Sequence, residues 1–292
     1  LRVIDMMRFF GILVCVALAV FYYLSAPAKR GVDITLAPDA QNGEYIYFAA
    51  GCGGCHSAPD AEDELKNVLS GGQKLPSPFG TFVAPNVSMH IDLGIGAWSQ
   101  ADFARAVRQG VSPNGRHYYP AFPYTSYQGM SDQDIVDLWA YWQTLPASEQ
   151  VSLAHDLPTY VQWRRPLGVW KMMYQPAPDP QIQDVEVSRG EYLVNTLGHC
   201  GECHTARNIL GARSSKDILQ GAQHPNGKGR IPAIAGDSFD WSAADIAEYL
   251  KSGFTPDYDV AGGLMAEVIE NTSKLSDQDR MAIAHYLKAL MD

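Results

Sequence analysis

The sequence predicts an all-α protein in which two copies of one helical module follow a single N-terminal apolar helix. Short motifs recur at an offset of about 145 residues, which indicates an internal duplication. An uncharged apolar run near the N-terminus has the composition of a membrane-spanning helix. Helix-capping residues flank stretches of helical periodicity, and few strand signals separate them. With 292 residues, the chain is long enough for two domains of ordinary size.

The N-terminal segment, residues 1–30, is predicted to be a membrane anchor. It contains the uncharged run FFGILVCVALAVFYYL, and Met6–Ala26 is 21 residues long with Arg8 as the only charge. That length suits one spanning helix, and the pair Tyr22-Tyr23 falls where an interfacial aromatic belt would lie. A cleaved signal peptide is the alternative, because Ala26-Pro27-Ala28 resembles a small-residue cleavage site. We expect the segment to be retained.

The two modules are predicted to span residues 31–150 and 184–292. Three motifs of the first return in the second: Gly-Glu-Tyr at 43–45 and 190–192, Trp-Ser at 98–99 and 241–242, and Ser-Asp-Gln-Asp at 131–134 and 276–279. Serines are good N-caps, especially with an acidic residue three positions later. Gly110 and Gly253 are placed to end the helices that begin after the tryptophans. Each module should therefore have three main helices.

Residues 151–183 belong to neither copy and are predicted to form a linker. They contain five prolines and an aromatic-basic patch from Trp163 to Lys171. An extended linker lying across the two modules is one interpretation, and a docking surface for a partner subunit is the other.

The chemistry of the chain is indicated by Cys-Gly-Gly-Cys-His at 52–56 and Cys-Gly-Glu-Cys-His at 200–204. The C-x-x-C-H pattern is the attachment motif of a c-type haem. Two thiols three positions apart can form thioethers with the two porphyrin vinyl groups, and the adjacent histidine is then the proximal ligand of the iron. We therefore predict two covalently bound haem c groups. The residues that would hold them are Cys52, Cys55, His56, Cys200, Cys203 and His204.

Other uses of these cysteines are less well supported by the sequence. Zinc sites need further cysteines or histidines at regular spacing, and thioredoxin-like dithiols need a strand–helix setting. The fifth cysteine, Cys15, lies in the apolar N-terminal run and is interpreted as a packing residue.

A methionine is the commonest sixth ligand of an electron-carrying haem of this kind. In the second module Met265 lies on a glycine-rich segment before the last helix, and we predict that it binds the iron. In the first module Phe122 stands at the best-matching position, so the nearest thioether, Met130, is the predicted ligand. Met89 or the adjacent His90 is the alternative ligand, and a purely hydrophobic role for Met130 is also open.

Two prolines are candidates for orienting the proximal histidines. Pro85 and Pro232 follow His56 and His204 by 29 and 28 residues. A proline carbonyl can accept the ring N–H and so fix the tautomer of an iron-bound histidine. Two ordinary loop prolines are the alternative.

Three segments resemble the multihaem cytochrome c subunits of periplasmic membrane-bound dehydrogenases: SGGQKLPSPFGTFVAPN, GIGAWSQADFARAVRQGVSPNGRHYYPAFPYTSYQGMSDQD and GGLMAEVIENTSKLSDQDR. The resemblance extends from about Gly43 to Leu290. It implies tandem class I cytochrome c-like domains, one haem c at each C-x-x-C-H motif, and a downstream methionine on each iron. Such subunits serve quinoprotein, flavoprotein or molybdenum enzymes that oxidise alcohols, aldehydes or sugars. Many of the alcohol dehydrogenase subunits have three haem motifs, whereas this chain has two.

The expected function is electron transfer on the periplasmic side of a bacterial inner membrane, as a subunit of a membrane complex. The donor would be a dehydrogenase or a quinol-oxidising complex, and the acceptor an oxidase, a reaction centre or a soluble cytochrome. A net charge of −10 argues against nucleic acid as a partner. The alternative is a dihaem enzyme of the peroxidase or thiosulfate-oxidising type, which needs one open or unusually ligated iron.

Overall fold

A computed structural model describes residues 2–27, 34–175, 189–225, 227, 229–236 and 239–290. The chain begins with helix α1, Arg2–Leu24, whose segment Val3–Leu24 has a mean hydropathy of 2.2. The most apolar part of α1 is not buried in the protein, and the helix is long enough to cross a bilayer. A membrane anchor and a signal sequence both fit these properties.

The first module contains α2 Ala40–Ala49, α3 Cys52–His56, a 3₁₀ turn Asp63–Asn67, strands β1 Lys74–Ser77 and β2 Gly80–Val83, and helices α4 Gln100–Gln109, α5 Tyr124–Tyr127 and α6 Asp132–Trp142. Two short helices follow, α7 Thr159–Gln162 and α8 Leu167–Tyr174. The second module contains α9 Arg189–Tyr192, which continues as a π-helical segment Leu193–Leu197, then α10 Gly201–His204, strands β3 Ala222–Gln223 and β4 Arg230–Ile231, and helices α11 Ala243–Ser252, α12 Leu264–Thr272 and α13 Asp277–Ala289.

The predicted helix ends are present in both modules. Ser99 and Ser242 form complete capping boxes at the starts of α4 and α11. Gly110 and Gly253 end these helices in the left-handed conformation, with φ of 58° and 79°, which glycine adopts without a steric penalty.

The prediction of a purely helical protein was too narrow, because each module also has a two-stranded antiparallel hairpin. In the first, Leu75 pairs with Phe82. Phe82 is buried against Tyr119, with ring centroids 5.1 Å apart, and Leu157 belongs to the same small cluster. Strands β1 and β2 are short and contain proline or glycine, and β3 and β4 have two residues each, so their sequence pattern is weak. The fold is mostly helical, and tertiary contacts stabilise the first hairpin.

Within each module the first helix packs closely against the last. A Cβ added at Gly43 would lie 2.0 Å from the carbonyl oxygen of Asp137 in α6, and one added at Gly190 would lie 2.1 Å from that of Ala282 in α13. Only a residue without a side chain permits this approach. This packing explains why the Gly-Glu-Tyr motif begins with glycine in both modules.

Most of the buried hydrophobic side chains of the two modules form one continuous cluster. Ile46 and Trp139 of the first module belong to it together with Leu193 and Leu287 of the second. The segment between the modules contacts both of them: Trp170 Nε1 donates to the carbonyl of Leu210 at 2.9 Å, and Lys171 donates to that of Gly110 at 2.7 Å. The domain boundaries at residues 30, 150 and 183 stay predictions, and residues 28–33 and 176–188 lie outside the described residues.

Candidate haem-attachment sites

The first C-x-x-C-H motif forms the short helix α3. Gly51 precedes it with φ of 61°, which turns the chain sharply from α2 into the motif. Cys52 is half-buried and Cys55 is exposed, and neither forms a disulfide. A Cβ added at Gly53 would lie 2.7 Å from the hydroxyl of Tyr47, so the motif sits directly on α2.

The histidine of this motif is held by the backbone of a later loop. His56 Nδ1 lies 3.1 Å from the carbonyl oxygen of Pro85, and the Gly71 N–H donates to the His56 carbonyl at 2.7 Å. Because a carbonyl only accepts, Nδ1 carries the proton, and Nε2 is the nitrogen available to a metal. Gly71, before the β1–β2 hairpin, therefore holds the backbone of His56, and Pro85, after the hairpin, sets the tautomer and position of its ring.

The second motif repeats this arrangement. Its last four residues form α10, and His204 Nδ1 lies 2.8 Å from the carbonyl oxygen of Pro232. The Gly221 N–H donates to the His204 carbonyl at 2.8 Å. The carbonyl contacts expected of the two prolines are thus present, and their role toward an iron stays a prediction.

The two modules can be aligned residue by residue around Met265. The N–H of the eighth residue after each helix-ending glycine donates to the carbonyl of that glycine. The distance is 2.7 Å for Gly110 and 2.8 Å for Gly253. The twelfth residue after each glycine is Phe122 or Met265. Phe122 therefore occupies the position of Met265, as the sequence comparison indicated.

Met130 has a different counterpart. It lies directly before the N-cap Ser131 and is 3% exposed, and Leu275 lies directly before the N-cap Ser276 and is 5% exposed. A buried hydrophobic side chain at this position is common to both modules. Met89 and Met265 are partly buried and pack against the shared core.

Both motifs adjoin the interface between the modules. The Glu202 carboxylate, inside the second motif, accepts hydrogen bonds from Thr125 at 3.2 Å and Ser126 at 3.3 Å in the first module. In the first motif, a Cβ added at Gly54 would lie 3.4 Å from Oε2 of Glu267 in α12. The attachment helices thus face each other's modules rather than opposite ends of the molecule.

Glu202 is also paired with two arginines. It forms ion pairs with Arg207 and, at 3.3 Å, with Arg213, and its side chain is 10% exposed. Burial by itself raises the pKa of the Glu202 carboxyl, but the two arginines outweigh it, so the pKa lies below its ordinary value. Glu202 is therefore a charged, fully paired carboxylate at the interface.

The chemistry of the cysteines and histidines fits a covalently attached haem. Before haem is attached, burial raises the pKa of Cys52 and of Cys200 to about 12, so the unmodified side chains are neutral thiols. Burial also lowers the pKa of His56 and of His204, which favours the neutral imidazole that binds iron. Within the described ranges no cluster of three or more His, Cys, Asp or Glu residues is arranged for a metal ion.

Comparison with known proteins identifies the family. The cytochrome c family model matches residues 40–146. The chain is 50% identical over 281 residues to a dihaem c-type cytochrome of Cereibacter sphaeroides, covering 94% of this chain and 95% of that protein. The chain is a dihaem c-type cytochrome. It carries two covalently bound haem c groups.

This dihaem cytochrome is also similar to subunits of larger enzymes. It is 37% identical over 267 residues to the gluconate 2-dehydrogenase cytochrome c subunit of Pantoea cypripedii, covering 86% of this chain and 59% of that protein. It is 33% identical over 279 residues to the cytochrome c subunit of the quinone alcohol dehydrogenase of Gluconacetobacter polyoxogenes, covering 89% and 58%. The cytochrome spans less than two thirds of the length of these two subunits.

Sequence reasoning missed several residues of the cytochrome that join the two sites. Tyr127 donates to the carbonyl of Ala50 at 2.8 Å, next to the first motif, and its ring lies 5.3 Å from that of His199, next to the second. Tyr45 and Tyr192, at the end of each Gly-Glu-Tyr motif, contact the opposite module. The repetition of the motif could have drawn attention to these two tyrosines, but no local pattern indicates Tyr127.

Proposed function

We propose that this cytochrome relays single electrons between a membrane-bound dehydrogenase or quinol-oxidising complex and a downstream oxidase, reaction centre or soluble cytochrome. The observation that carries this proposal is the position of both attachment motifs at one inter-module interface, with Glu202 of the second motif bonded to Thr125 and Ser126 of the first module. Bound haem supplies one-electron chemistry at its iron. The similarity to cytochrome subunits of dehydrogenases supports a place in a membrane complex.

The chain's own residues hold the sites in place. The Pro85 and Pro232 carbonyls fix the two histidine rings, and a shared hydrophobic core packs the two modules against each other. A rigid arrangement suits electron transfer, because a site that moves little between oxidation states needs little reorganisation. We assign Met265 to the second iron and Met130 to the first.

Helix α1 is proposed to be a retained anchor in a bacterial inner membrane, with both modules in the periplasm. Its length and hydropathy permit a membrane span. The residue after it, Ser25, is fully buried in the protein. A helix end packed into the folded body suits an anchor better than a segment that is removed.

A second candidate function is a haem enzyme of the peroxidase or thiosulfate-oxidising type, with the first iron open. It is favoured by the alignment of Phe122 with Met265, because phenylalanine has no atom that binds iron. The alignment of Met130 with Leu275 points the same way, since a leucine at that position serves only packing.

Absorption spectra with and without carbon monoxide separate the two functions. If the protein is an electron relay, the wild type should not bind carbon monoxide. Met130→Leu should then allow carbon monoxide to bind one haem and should halve the far-red thioether-to-iron band. If the protein is a haem enzyme, the wild type should bind carbon monoxide at one haem. Met130→Leu should then leave the spectra unchanged, and Phe122→Met should prevent carbon monoxide from binding. Met89→Leu is the control for the alternative ligand, and Met265→Leu reports on the second haem alone.

The relay itself is tested in native membranes. Quinol or a dehydrogenase substrate should reduce both haems, and oxygen should reoxidise them through the respiratory chain. If a chemical reductant reduces the haems but neither quinol nor a dehydrogenase substrate does, the proposed electron relay is wrong.

A further inference from the structure

The junction between α1 and the folded body is closely packed. Ser25 follows the last turn of α1, and its carbonyl accepts a hydrogen bond from His117 Nε2 at 3.1 Å. Arg165 Nε donates to the Ser25 hydroxyl at 2.9 Å. A Cβ added at Gly168 would lie 2.4 Å from the Ser25 carbonyl oxygen, so α8 begins against this residue. The end of α1 is therefore docked on the body.

The histidine at this junction is neutral. Burial lowers the pKa of His117, and its carbonyl partner keeps the proton on Nε2. Lys171, Arg165 and Arg105 lower that pKa further because they add positive charge nearby. In this tautomer Nε2 donates to the Ser25 carbonyl.

Aromatic side chains surround the same junction. The rings of Phe21 and Trp163 are 5.6 Å apart, and the Arg165 guanidinium lies 4.3 Å from the centre of the Tyr22 ring. Trp163 remains 61% exposed despite its contact with α1, and Tyr160, one turn earlier, is 77% exposed. Two large aromatic side chains thus lie open beside the end of a helix that is long enough to span a membrane.

Tryptophan and tyrosine concentrate at the boundary between lipid and water, because their rings are apolar and their N–H or O–H groups stay hydrated. An arginine beside them can keep its charge at the headgroups while its stem lies along apolar surface. The contact between Phe21 and Trp163 places the linker at the depth of the last turn of α1. A bilayer crossed by α1 would therefore reach Trp163 and Tyr160.

We propose that Tyr160 and Trp163 form a lipid-facing surface that lies in the headgroup region of the bilayer. Together with the docked end of α1, this surface holds the two haem modules in one orientation against the membrane. Lipid is the molecule that covers this surface, because the surface continues directly from the end of the spanning helix. The inference rests on the proposed anchor and adds that the body itself touches the bilayer.

The test is photo-crosslinking of the full-length holoprotein in nanodiscs of phosphatidylethanolamine and phosphatidylglycerol. A benzophenone side chain is introduced singly at Tyr160, Trp163, Phe10 or Tyr258, and adducts are identified by mass spectrometry. Phe10 lies within α1, and Tyr258 is an 89% exposed tyrosine of the second module that serves as the matched control. We expect lipid adducts at positions 160 and 163 in yields comparable to position 10, and only background at position 258.

The outcomes separate this inference from the anchor. Lipid adducts at position 10 with only background at 160 and 163 would overturn the lipid-facing surface and leave the anchor intact. Absence of lipid adducts at position 10 as well would show that α1 is not in the bilayer, and the anchor would fail. Adducts to a protein partner at 160 and 163, in nanodiscs made from native membranes, would assign the surface to a subunit and also overturn the inference.

A second variant tests the orientation. Arg165→Met removes the hydrogen bond to the Ser25 hydroxyl and keeps most of the side-chain volume. The yield of lipid adducts at position 163 should fall in this background, while the yield at position 10 should not change. An unchanged yield at position 163 would show that docking of the helix end does not set the position of the aromatic surface.

Discussion

The hydroxyl of Tyr45 in the first module donates a hydrogen bond to Oδ2 of Asp279 in the second, at 2.6 Å, and accepts one from the Ser276 N–H at 3.1 Å. The second module returns the same contact: Tyr192 donates to Asp134 and accepts from the Ser131 N–H at 3.2 Å. In each case the tyrosine ends a Gly-Glu-Tyr motif and caps the start of the other module's last helix. The two modules are thus joined by a reciprocal pair of contacts with pseudo-twofold symmetry.

We expect Tyr45→Phe and Tyr192→Phe each to lower the free energy of unfolding by about 1.5–3 kcal/mol, because each removes a hydrogen bond to a charged group. Urea denaturation of the holoprotein measures the effect. Tyr258→Phe is the matched control, since Tyr258 is 89% exposed, and it should change stability very little. Equal stability of all three variants would show that the tyrosines do not hold the modules together.

Gly43→Ala and Gly190→Ala are expected to destabilise the cytochrome by about 1–3 kcal/mol or more through overpacking. The new methyl groups would lie 2.0 Å and 2.1 Å from backbone oxygens, so the paired helices must move apart. Thermal unfolding is the measurement. Gly11→Ala is the control, because Gly11 is also helical and a Cβ there meets nothing within 4 Å. Wild-type stability of both variants would contradict the close helix packing.

The stability of the cytochrome should fall in acid partly through Asp279. Burial by itself raises the pKa of this carboxyl, but hydrogen bonds from Arg189, at 2.7 and 3.0 Å, and from Tyr45 outweigh it and bring the pKa below its ordinary 3.8. The unfolded chain therefore binds the proton more readily than the folded protein. The stabilisation is complete above the unfolded pKa of about 3.8 and is lost as the pH falls below it.

Urea denaturation between pH 3 and pH 6 tests this dependence. Asp279→Asn should be less stable than the wild type at pH 6, and the difference should shrink as the pH approaches 3. The exposed residue Asp257 provides the control substitution Asp257→Asn. A difference between wild type and Asp279→Asn that stays constant with pH would contradict the assigned ionisation.

Removing the carboxylate at the interface should be costly. Glu202→Ala removes the carboxylate that pairs with Arg207 and Arg213 and accepts from Thr125 and Ser126. The side chains of Arg207 and Arg213 are 36% and 29% exposed, so solvent screens them, and we expect a loss of about 1–3 kcal/mol, below that of a fully buried ion pair. Thermal unfolding measures the loss, and haem content by pyridine haemochrome shows whether attachment is preserved. Glu248→Ala, at an exposed position of α11, is the control. A variant as stable as that control would show that Glu202 does not join the modules.

Local sequence patterns were sufficient for much of this molecule. The capping serines and glycines marked the ends of α4 and α11, because caps depend on a few neighbouring residues. The C-x-x-C-H motifs predicted two haems, and the individual attachment residues stay a prediction. The short hairpins were missed, because their strands are stabilised by contacts with distant residues such as Leu157 rather than by their own pattern. The alignment of Phe122 with Met265 was visible in the sequence, but the counterpart of Met130 became evident only from the buried positions before the two N-caps.

The sequence by itself determined that the cytochrome has two haem-attachment motifs, a duplicated helical module and an apolar N-terminal helix. The tertiary structure decided how these parts meet. It paired Tyr45 with Asp279 and docked Ser25 on His117, residues separated by 234 and 92 positions. Such contacts leave no periodic pattern in the chain, because they depend on the complete packing of both modules and not on local conformation.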